Sequence, residues 1–509
     1  MKISPEHVVI AIVITWFLTG CNHRVNTETK QADPQNHKHH VSMDGLWRVS
    51  PETAKKFPHG TLEFVINISG EASGNTTARG CFLWDDRFFD YWNFDSVRVS
   101  GNQVVLVDEE GSRYIGTLDE NKEMIQGFAY WVDEESTDTG KMDFIREEVL
   151  DVSRLFIPYP PGPGGSIKYT YHQPEFIGDQ WQTASIFDYV KDTAAFFRMM
   201  DRIIRQDFGR LESFLVIIDR KLILEEYFYG YDRTQKHDIH SCTKSIVSLL
   251  LGITLAKNNL RDVDQSIFNY FPEYLSLKNK EKEQITLKQV LTMTSGLDHE
   301  DDFEPLDPAD QTKQILSLPV VSEPGEAFKY NNNSTNLIGG LIYILENKQA
   351  DDFAKEVLFN KLGISDFYWE REGGVLHCHN DLHLLPRDMA KIGLLVLDNG
   401  TWNGEQIVPG EWIAASTKPY VAESEFFDYG FQWWYRSKRN KSWWDAPVHG
   451  SNDEHDMFLA LGHGGQFIMI IRDLDMVIVT TSSDYNSDNG MGHRKVPMVI
   501  EELVPLFSR

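Results

Sequence analysis

The sequence is short of cysteine, short of positive charge and nearly without long apolar runs, and each shortage removes a class of protein. Its 509 residues hold 4 cysteines. Cys21 follows an apolar leader, and Cys81, Cys242 and Cys378 remain, an odd number with no paired or metal-like spacing, so no disulfide scaffold is implied. A chain of this length can rely on its core instead, even in an oxidising compartment. Lysine and arginine number 49 against 76 aspartates and glutamates, a formal charge of −27. A field of that sign repels phosphate backbones and anionic headgroups and argues against nucleic acid as a partner. Internal repeats are missing. What is present, 41% hydrophobic, 12% aromatic and 25% charged residues, is the profile of a soluble globular protein of more than one domain.

The concentrated apolar run Val8 to Leu18 follows Lys2 and is 11 residues long, too short for the roughly 20 that span a bilayer as a helix. Residues 1–20 therefore read as a signal peptide. Leu18-Thr19-Gly20-Cys21 resembles the bacterial lipobox, which makes Cys21 the expected lipidation site and a lipid anchor the expected membrane contact. An ordinary secretory signal or a short anchor is the alternative. The implied location is outside the cytoplasm, tethered and facing periplasm or exterior; Asn22 after the cysteine points to the outer membrane in a Gram-negative host. Residues 21–40 are polar and end in His37-Lys38-His39-His40. They read as a solvated tether with an average reach of roughly 25 Å, rather than as a metal site.

Residues 41–150 alternate in the manner of short strands. Leu62, Phe64, Ile66 and Ile68 alternate with Glu63 and Asn67, and Ser100-Gly101-Asn102, Asp108 to Gly111 and Asp119-Glu120-Asn121 supply turns. This predicts a small all-β meander or barrel. Its aromatics, Trp47, Trp84, Phe88, Phe89, Tyr91, Trp92, Phe94 and Trp131, read as core or as an interdomain face, with a ligand pocket as the alternative. Pro158 to Ser166 breaks regular structure, and residues 151–182 read as a Pro/Gly-rich linker. In 183–509, Phe214 to Ile218 and Leu222 to Phe228 flank a turn, a mostly helical stretch follows to about 415, and Phe467 to Ile471 and Met476 to Thr480 form a second hairpin before a final helix. An antiparallel sheet built from both ends of the domain, with helices inserted between, is an α+β architecture.

Three short motifs carry chemistry. His240-Ser241-Cys242-Thr243-Lys244 opens a run that is apolar almost all round, so Ser241 and Lys244 stand one turn apart on one face at the start of a buried helix. A serine hydroxyl needs an adjacent base to attack at neutral pH, and a lysine serves when burial and positive surroundings favour its neutral form. Read alone, a serine at a helix start is an ordinary cap. Tyr330-Asn331-Asn332 stands between the turn Pro324-Gly325-Glu326 and an apolar run; a phenol there can exchange protons and an asparagine can donate to a carbonyl, although the ordinary reading is a turn. Gly462-His463-Gly464-Gly465-Gln466 leads into a strand and lets a substrate approach the backbone closely; otherwise it is a tight turn with an incidental histidine.

Together, Ser-x-x-Lys at 241/244, Tyr-x-Asn at 330/332 and His-x-Gly at 463/465 resemble the class C β-lactamase-related serine hydrolases, a family that includes penicillin-binding peptidases, carboxylesterases and 6-aminohexanoate-dimer hydrolase. Leu291 to Leu297, Pro386 to Lys391 and Ala460 to Gln466 look similar too, and the resemblance runs from roughly 183 to 507. It implies a β-lactamase/transpeptidase-like fold and acyl transfer without metal or cofactor. Ser241 would be the nucleophile, Lys244 its base, Tyr330 the proton shuttle and Asn332 a contact for the substrate amide. His463 and Gly465 would line the binding site, and the N–H groups of Ser241 and Gln466 would form the oxyanion hole. Whether Lys244 or Tyr330 takes the serine proton stays open. Many β-lactamases carry lysine where this chain has His463, and a histidine is largely neutral at pH 7, so turnover of carboxylate-bearing β-lactams is disfavoured.

The expected substrate is therefore a small ester, amide or peptide. The alternatives are a β-lactamase, a D-peptidase or penicillin-binding sensor, and a non-catalytic cell-wall-binding lipoprotein. Two further clusters are weighed. His377-Cys378-His379 with Asp381 and His383 offers metal ligands but reads as structural. His299 to Asp302 with Glu304, Asp307 and Asp310 reads as a solvated loop, with an acidic rim for cationic substrates as the alternative.

Overall fold

The computed structural model describes residues 45–50, 62–70, 76–84, 87–94, 96–100, 102–108, 111–119, 124–132, 137–146 and 158–159, and residues 167–507 apart from 300–304, 306, 425, 438–454 and 485–491. The leader, Cys21 and the tether lie outside them. The chain divides into two compact units, Met1–Pro160 with Ser483–Met491, and Pro161–Ser482 with Gly492–Arg509.

In the first unit β1 (Gly45–Val49), β2 (Leu62–Gly70), β3 (Thr76–Trp84), β4 (Arg87–Asn93), β5 (Ser96–Ser100), β6 (Gln103–Val107), β7 (Arg113–Asp119), β8 (Met124–Val132) and β9 (Thr137–Arg146) form one sheet. Its order is β4-β3-β2-β1-β9-β8-β7-β6-β5. Strands adjacent in sequence pair antiparallel within β1–β4 and within β5–β9, and the two runs are joined by β1 against β9, with Trp47 opposite Arg146. Alternation explains the core: Trp47 and Val49, Ile66 and Ile68, Val104 and Leu106, Tyr114 and Leu118, and Met142 and Phe144 all point inward. Tyr114 is accommodated because Gly127 has no side chain; a Cβ there would stand 2.5 Å from the Tyr114 hydroxyl. That hydroxyl donates to the Met142 carbonyl at 3.0 Å. Of the aromatic set, Trp47 is core and Phe94 packs against it; the other six side chains, and that of Cys81, lie outside the described residues.

The second unit is α+β. Its nine-stranded sheet contains β10 (Gln182–Thr183), β11 (Leu211–Ile218), β12 (Lys221–Tyr227), β13 (Val421–Ala422), β14 (Asp428–Tyr429), β15 (Trp434–Arg436), β16 (Met457–Gly462), β17 (Gln466–Ile471) and β18 (Met476–Ser482), in the order β10-β12-β11-β18-β17-β16-β15-β14-β13. All neighbours are antiparallel except β10 with β12. Asp219 and Arg220, both at positive φ, make the tight β11–β12 turn that matches strand twist. Every residue of β11, β17 and β18 is buried, so the centre of the sheet is covered on both faces.

The helices that matter for the site are α1 (Thr193–Ile204), α2 (Cys242–Lys257), α3 (Leu287–Leu291), α4 (Pro308–Ser317), α5 (Asn332–Glu346), α6 (Pro386–Leu397) and α7 (Gly492–Leu503). The apolar residues of α2, α5 and α6 share one core with Leu215, Ile468 and Val477 of the sheet. Residues 167–182, given to a linker by composition, contribute to this unit: Tyr169 and Trp181 are each 2% exposed, and Trp181 donates to the Arg387 carbonyl at 3.3 Å. The buried aromatics Tyr169 and Trp181 are a packing signal that the average composition of 151–182 hides. Within the acidic cluster, Asp307 caps α4 by accepting the Asp310 N–H at 2.8 Å, and 300–304 lie outside the described residues.

Candidate active site

Ser241 occupies the N-cap position of α2 and makes no capping bond with its side chain, so the hydroxyl is left for other partners. The residue before it, His240, takes a left-handed φ of +46°, a costly conformation for a non-glycine residue. Asp238 holds it there, accepting the His240 N–H at 2.8 Å and lying 3.3 Å from Nδ1. The turn aims Ser241 beside Lys244, whose Nζ lies 3.0 Å from Oγ. Lys244 is 1% exposed, and its amine also donates to the His379 carbonyl at 2.9 Å.

Tyr330 arrives from the start of α5. Asn331 caps that helix by accepting the Asn333 N–H at 2.9 Å, and its amide donates to the Leu297 and Asp298 carbonyls at 3.1 and 3.3 Å. Held this way, the Tyr330 ring centroid lies 4.9 Å from Lys244 Nζ, the amine that meets the Ser241 hydroxyl. Burial pushes the phenol well above its ordinary range, and the nearby Ser241 hydroxyl offsets only part of this, so Tyr330 rests protonated. Trp434 stacks on the same ring at 5.9 Å and 23°. Asn332 is the first residue of α5 and half-buried beside Tyr330.

The glycine-rich turn reaches the same place from the sheet. Gly462 passes so close that a Cβ would stand 2.3 Å from the Ile239 carbonyl, which only glycine permits. Gln466 opens β17; its carbonyl accepts from Cys242 Sγ at 3.3 Å, directly after Ser241. The Gln466 side chain ties the turn down, donating to the His463 carbonyl at 3.2 Å and to the Ser482 carbonyl and accepting the Ser482 N–H at 3.2 Å. Gly464 and Gly465 take φ of +79° and +104°. His463 is exposed, and its ring stands 6.0 Å from that of His240, edge to face. Ser241, Lys244, Tyr330, Asn332, His463, Gly465 and Gln466 are thus gathered by two helix starts and one hairpin turn; Cys21 lies outside the described residues.

The histidine-rich cluster is placed differently from a metal centre. His379 meets Asn336 Oδ1 through Nδ1 at 3.2 Å, and the Cys378 N–H donates to the same oxygen at 3.0 Å. Burial, reinforced by Lys244, holds the His379 imidazole well below its usual range, so it stays neutral. Burial also pushes the Cys378 and Cys242 thiols up, leaving both unreactive. His383 pairs through strand backbone with Tyr368. What sequence reasoning missed is that His379 meets Lys244 through its main chain, which no side-chain pattern signals. Trp434 had a weak signal in the doublet Trp433-Trp434.

A family model described as Beta-lactamase matches residues 201–496, more than half of the chain. Among curated proteins, the 6-aminohexanoate-dimer hydrolase of Paenarthrobacter ureafaciens is 21% identical over 272 residues, covering 47% of this chain and 68% of that protein. Protein flp of Staphylococcus aureus (strain COL) is 26% identical over 179 residues, covering 31% of this chain and only 35% of that protein. Among solved structures, a candidate beta-lactamase from Bacteroides dorei DSM 17855 superposes with a TM-score of 0.51 at 16% identity, over 62% of this chain and 98% of that one. That likeness is one of fold.

Proposed function

Because this chain belongs to the Beta-lactamase family and is a hydrolase of that family, we propose that it works by acyl transfer through Ser241 on small esters and amides. The observation that carries the reading is the contact of Lys244 Nζ with the Ser241 hydroxyl at 3.0 Å, with the Tyr330 ring beside the same amine. Ser241 Oγ attacks the substrate carbonyl while Lys244, as the neutral amine, takes its proton; the C–O or C–N bond then breaks and the leaving group receives a proton through Tyr330. A phenol kept protonated by burial suits the donor's role, which assigns the base to Lys244. The N–H groups of Ser241 and Gln466 stabilise the oxyanion, Asn332 contacts the substrate amide, and water releases the acyl group by the reverse relay.

His463, exposed at the rim and close to His240, provides no permanent cation for a substrate carboxylate, and the charge of −27 disfavours anions at long range. Esters have better leaving groups than amides, so short-chain p-nitrophenyl esters should be hydrolysed readily and carboxylate-bearing cephalosporins poorly. Intact-mass analysis after fluorophosphonate treatment should show one adduct that is absent in Ser241→Ala. Persistent labelling of that variant would remove Ser241 from the mechanism, and a kcat/KM favouring the cephalosporin would replace the esterase reading with a β-lactamase one. Tethering through a lipid on Cys21 is part of the proposal; Cys21→Ser should shift the protein out of the membrane fraction, and unchanged retention would count against lipidation.

A further inference from the structure

We infer that Gln432 is a positioning residue for the Ser241, Lys244 and Tyr330 constellation, a node to which both catalytic helix starts and the loop that holds Tyr330 are fastened. The inference rests on the acyl-transfer reading above. Gln432 is 1% exposed and sits at a φ of +63°, a left-handed conformation in which glycine or asparagine is usual. What distinguishes the position is the buried side chain and the bonds it makes.

Every polar group of that side chain has a partner on a site-bearing element. Its Oε1 accepts from Thr335 Oγ1 at 2.6 Å, one turn beyond Asn332 on α5. Its Nε2 donates to the Leu291 carbonyl at 2.9 Å, an oxygen that also accepts the Gln432 backbone N–H at 3.1 Å. Its own carbonyl accepts from Ser245 Oγ at 2.7 Å, the residue directly after Lys244. Leu291 ends α3, and two residues later Met293 holds Tyr330 from both sides: the Met293 carbonyl accepts the Lys329 N–H at 2.9 Å, and its sulfur accepts the Asn331 N–H at 3.4 Å. Two residues after Gln432, Trp434 stacks on the Tyr330 ring.

One buried amide therefore sets the distance between the α2 start, which carries nucleophile and base, and the α5 start, which carries the phenol. Gln432 touches none of the reacting atoms. Losing its bonds would let Tyr330 drift from Ser241, and a displacement on the order of 1 Å costs about 10²-fold in rate. Because the bonds orient catalytic groups and not the substrate, the loss falls on kcat and spares KM.

The test uses the full chain with a short-chain p-nitrophenyl ester, reading kcat, KM, the pH–rate profile, melting temperature and the rate of fluorophosphonate acylation. Gln432→Asn keeps a residue tolerated at left-handed φ but is too short to reach both Thr335 and Leu291. We expect it to fold, to lose about 10²-fold in kcat and acylation rate with KM changed less than about threefold, and to shift the limbs of the pH profile. Thr335→Val removes one bond at nearly constant volume and should lose about tenfold in the same parameters. Gln432→Asn and Thr335→Val proteins that fold with wild-type kcat and pH profile would overturn the inference. So would a loss of rate explained wholly by a smaller folded fraction. Labelling that persists in Ser241→Ala would bring down the acyl-transfer reading itself; labelling lost there, with wild-type acylation in Gln432→Asn, would remove the positioning role alone.

Discussion

At the start of α2 a buried lysine, Lys244, stands three residues after Ser241, its amine 3.0 Å from the hydroxyl and 2.9 Å from the His379 carbonyl. At the start of α6 a buried lysine, Lys391, stands three residues after Asp388, its amine 2.8 Å from the carboxylate and 3.3 Å from the Gly363 carbonyl. The geometry is nearly shared and the chemistry is not. In α6 a carboxylate neutralises the ammonium and the pair is a structural joint. In α2 a hydroxyl takes the carboxylate's place, so the amine faces a group that, in the proposed mechanism, gives up its proton to become the nucleophile. On the proposed mechanism, reactivity would follow from which side chain meets a buried lysine, not from the burial of lysine itself.

The sharpest way to test that contrast is to write one pair into the other. Ser241→Asp turns the α2 pair into a copy of the α6 pair; we expect a folded protein with fluorophosphonate labelling abolished and ester hydrolysis down by several orders of magnitude. Next, Lys244→Met should lower kcat by about 10²–10⁴-fold, the usual loss for a general base, whereas Lys391→Met should be felt in stability rather than as a missing chemical step. The α6 pair should behave as a joint when broken: Asp388→Ser strands a buried ammonium and should cost about 3–5 kcal/mol in denaturant unfolding, without creating a second labelling site.

A third buried charge extends the comparison. Glu226 is met by the Tyr169 hydroxyl at 2.5 Å, while its neighbour Glu225 takes Arg387 at 2.7 and 2.5 Å. Burial pushes the Glu226 carboxyl up to about 7, partly offset by the Tyr169 bond and reinforced by Glu225. Since the folded-state value lies above the ordinary one, the unfolded chain releases its proton first. Stability falls as pH rises from about 4.5 to about 7 and stays lower above that range. Glu226→Gln, which can still accept from Tyr169, should flatten this slope and gain about 3 kcal/mol over wild type at pH 8, measured by thermal melts at pH 5 and 8. The smallest effect belongs to a buried hydroxyl with no charge beside it in its hydrogen bond: Tyr114→Phe removes the bond to the Met142 carbonyl and should cost about 1 kcal/mol.

These cases also mark how far the sequence could be read. Ser241 and Lys244 were legible because an i, i+3 pair on a strongly apolar helix is a local pattern, and the β11–β12 and β17–β18 hairpins were legible for the same reason. Tyr330, Asn332 and the 462–466 turn were legible only through family resemblance, since nothing local says that they converge. Gln432, Trp434 and the His379 carbonyl were not legible: each acts through a backbone position or a contact made across the fold, and their side-chain types carry no spacing. Tyr169 and Trp181 escaped because a Pro/Gly-rich neighbourhood outweighed two buried aromatics. His377, Cys378 and His379 read as structural from the sequence, but composition cannot tell that it is the His379 carbonyl that faces Lys244.

The pairing of β1 with β9 has a kinetic consequence. Trp47 lies opposite Arg146, whereas the other ladders of that sheet join strands that follow one another in the chain. β1–β4 and β5–β9 can each grow by successive hairpins, short loops that close quickly, while the ladder that unites them must wait for a closure spanning the whole unit. The first and last strands are therefore the seam along which this unit assembles, and a slow refolding phase would report the zipping of that seam.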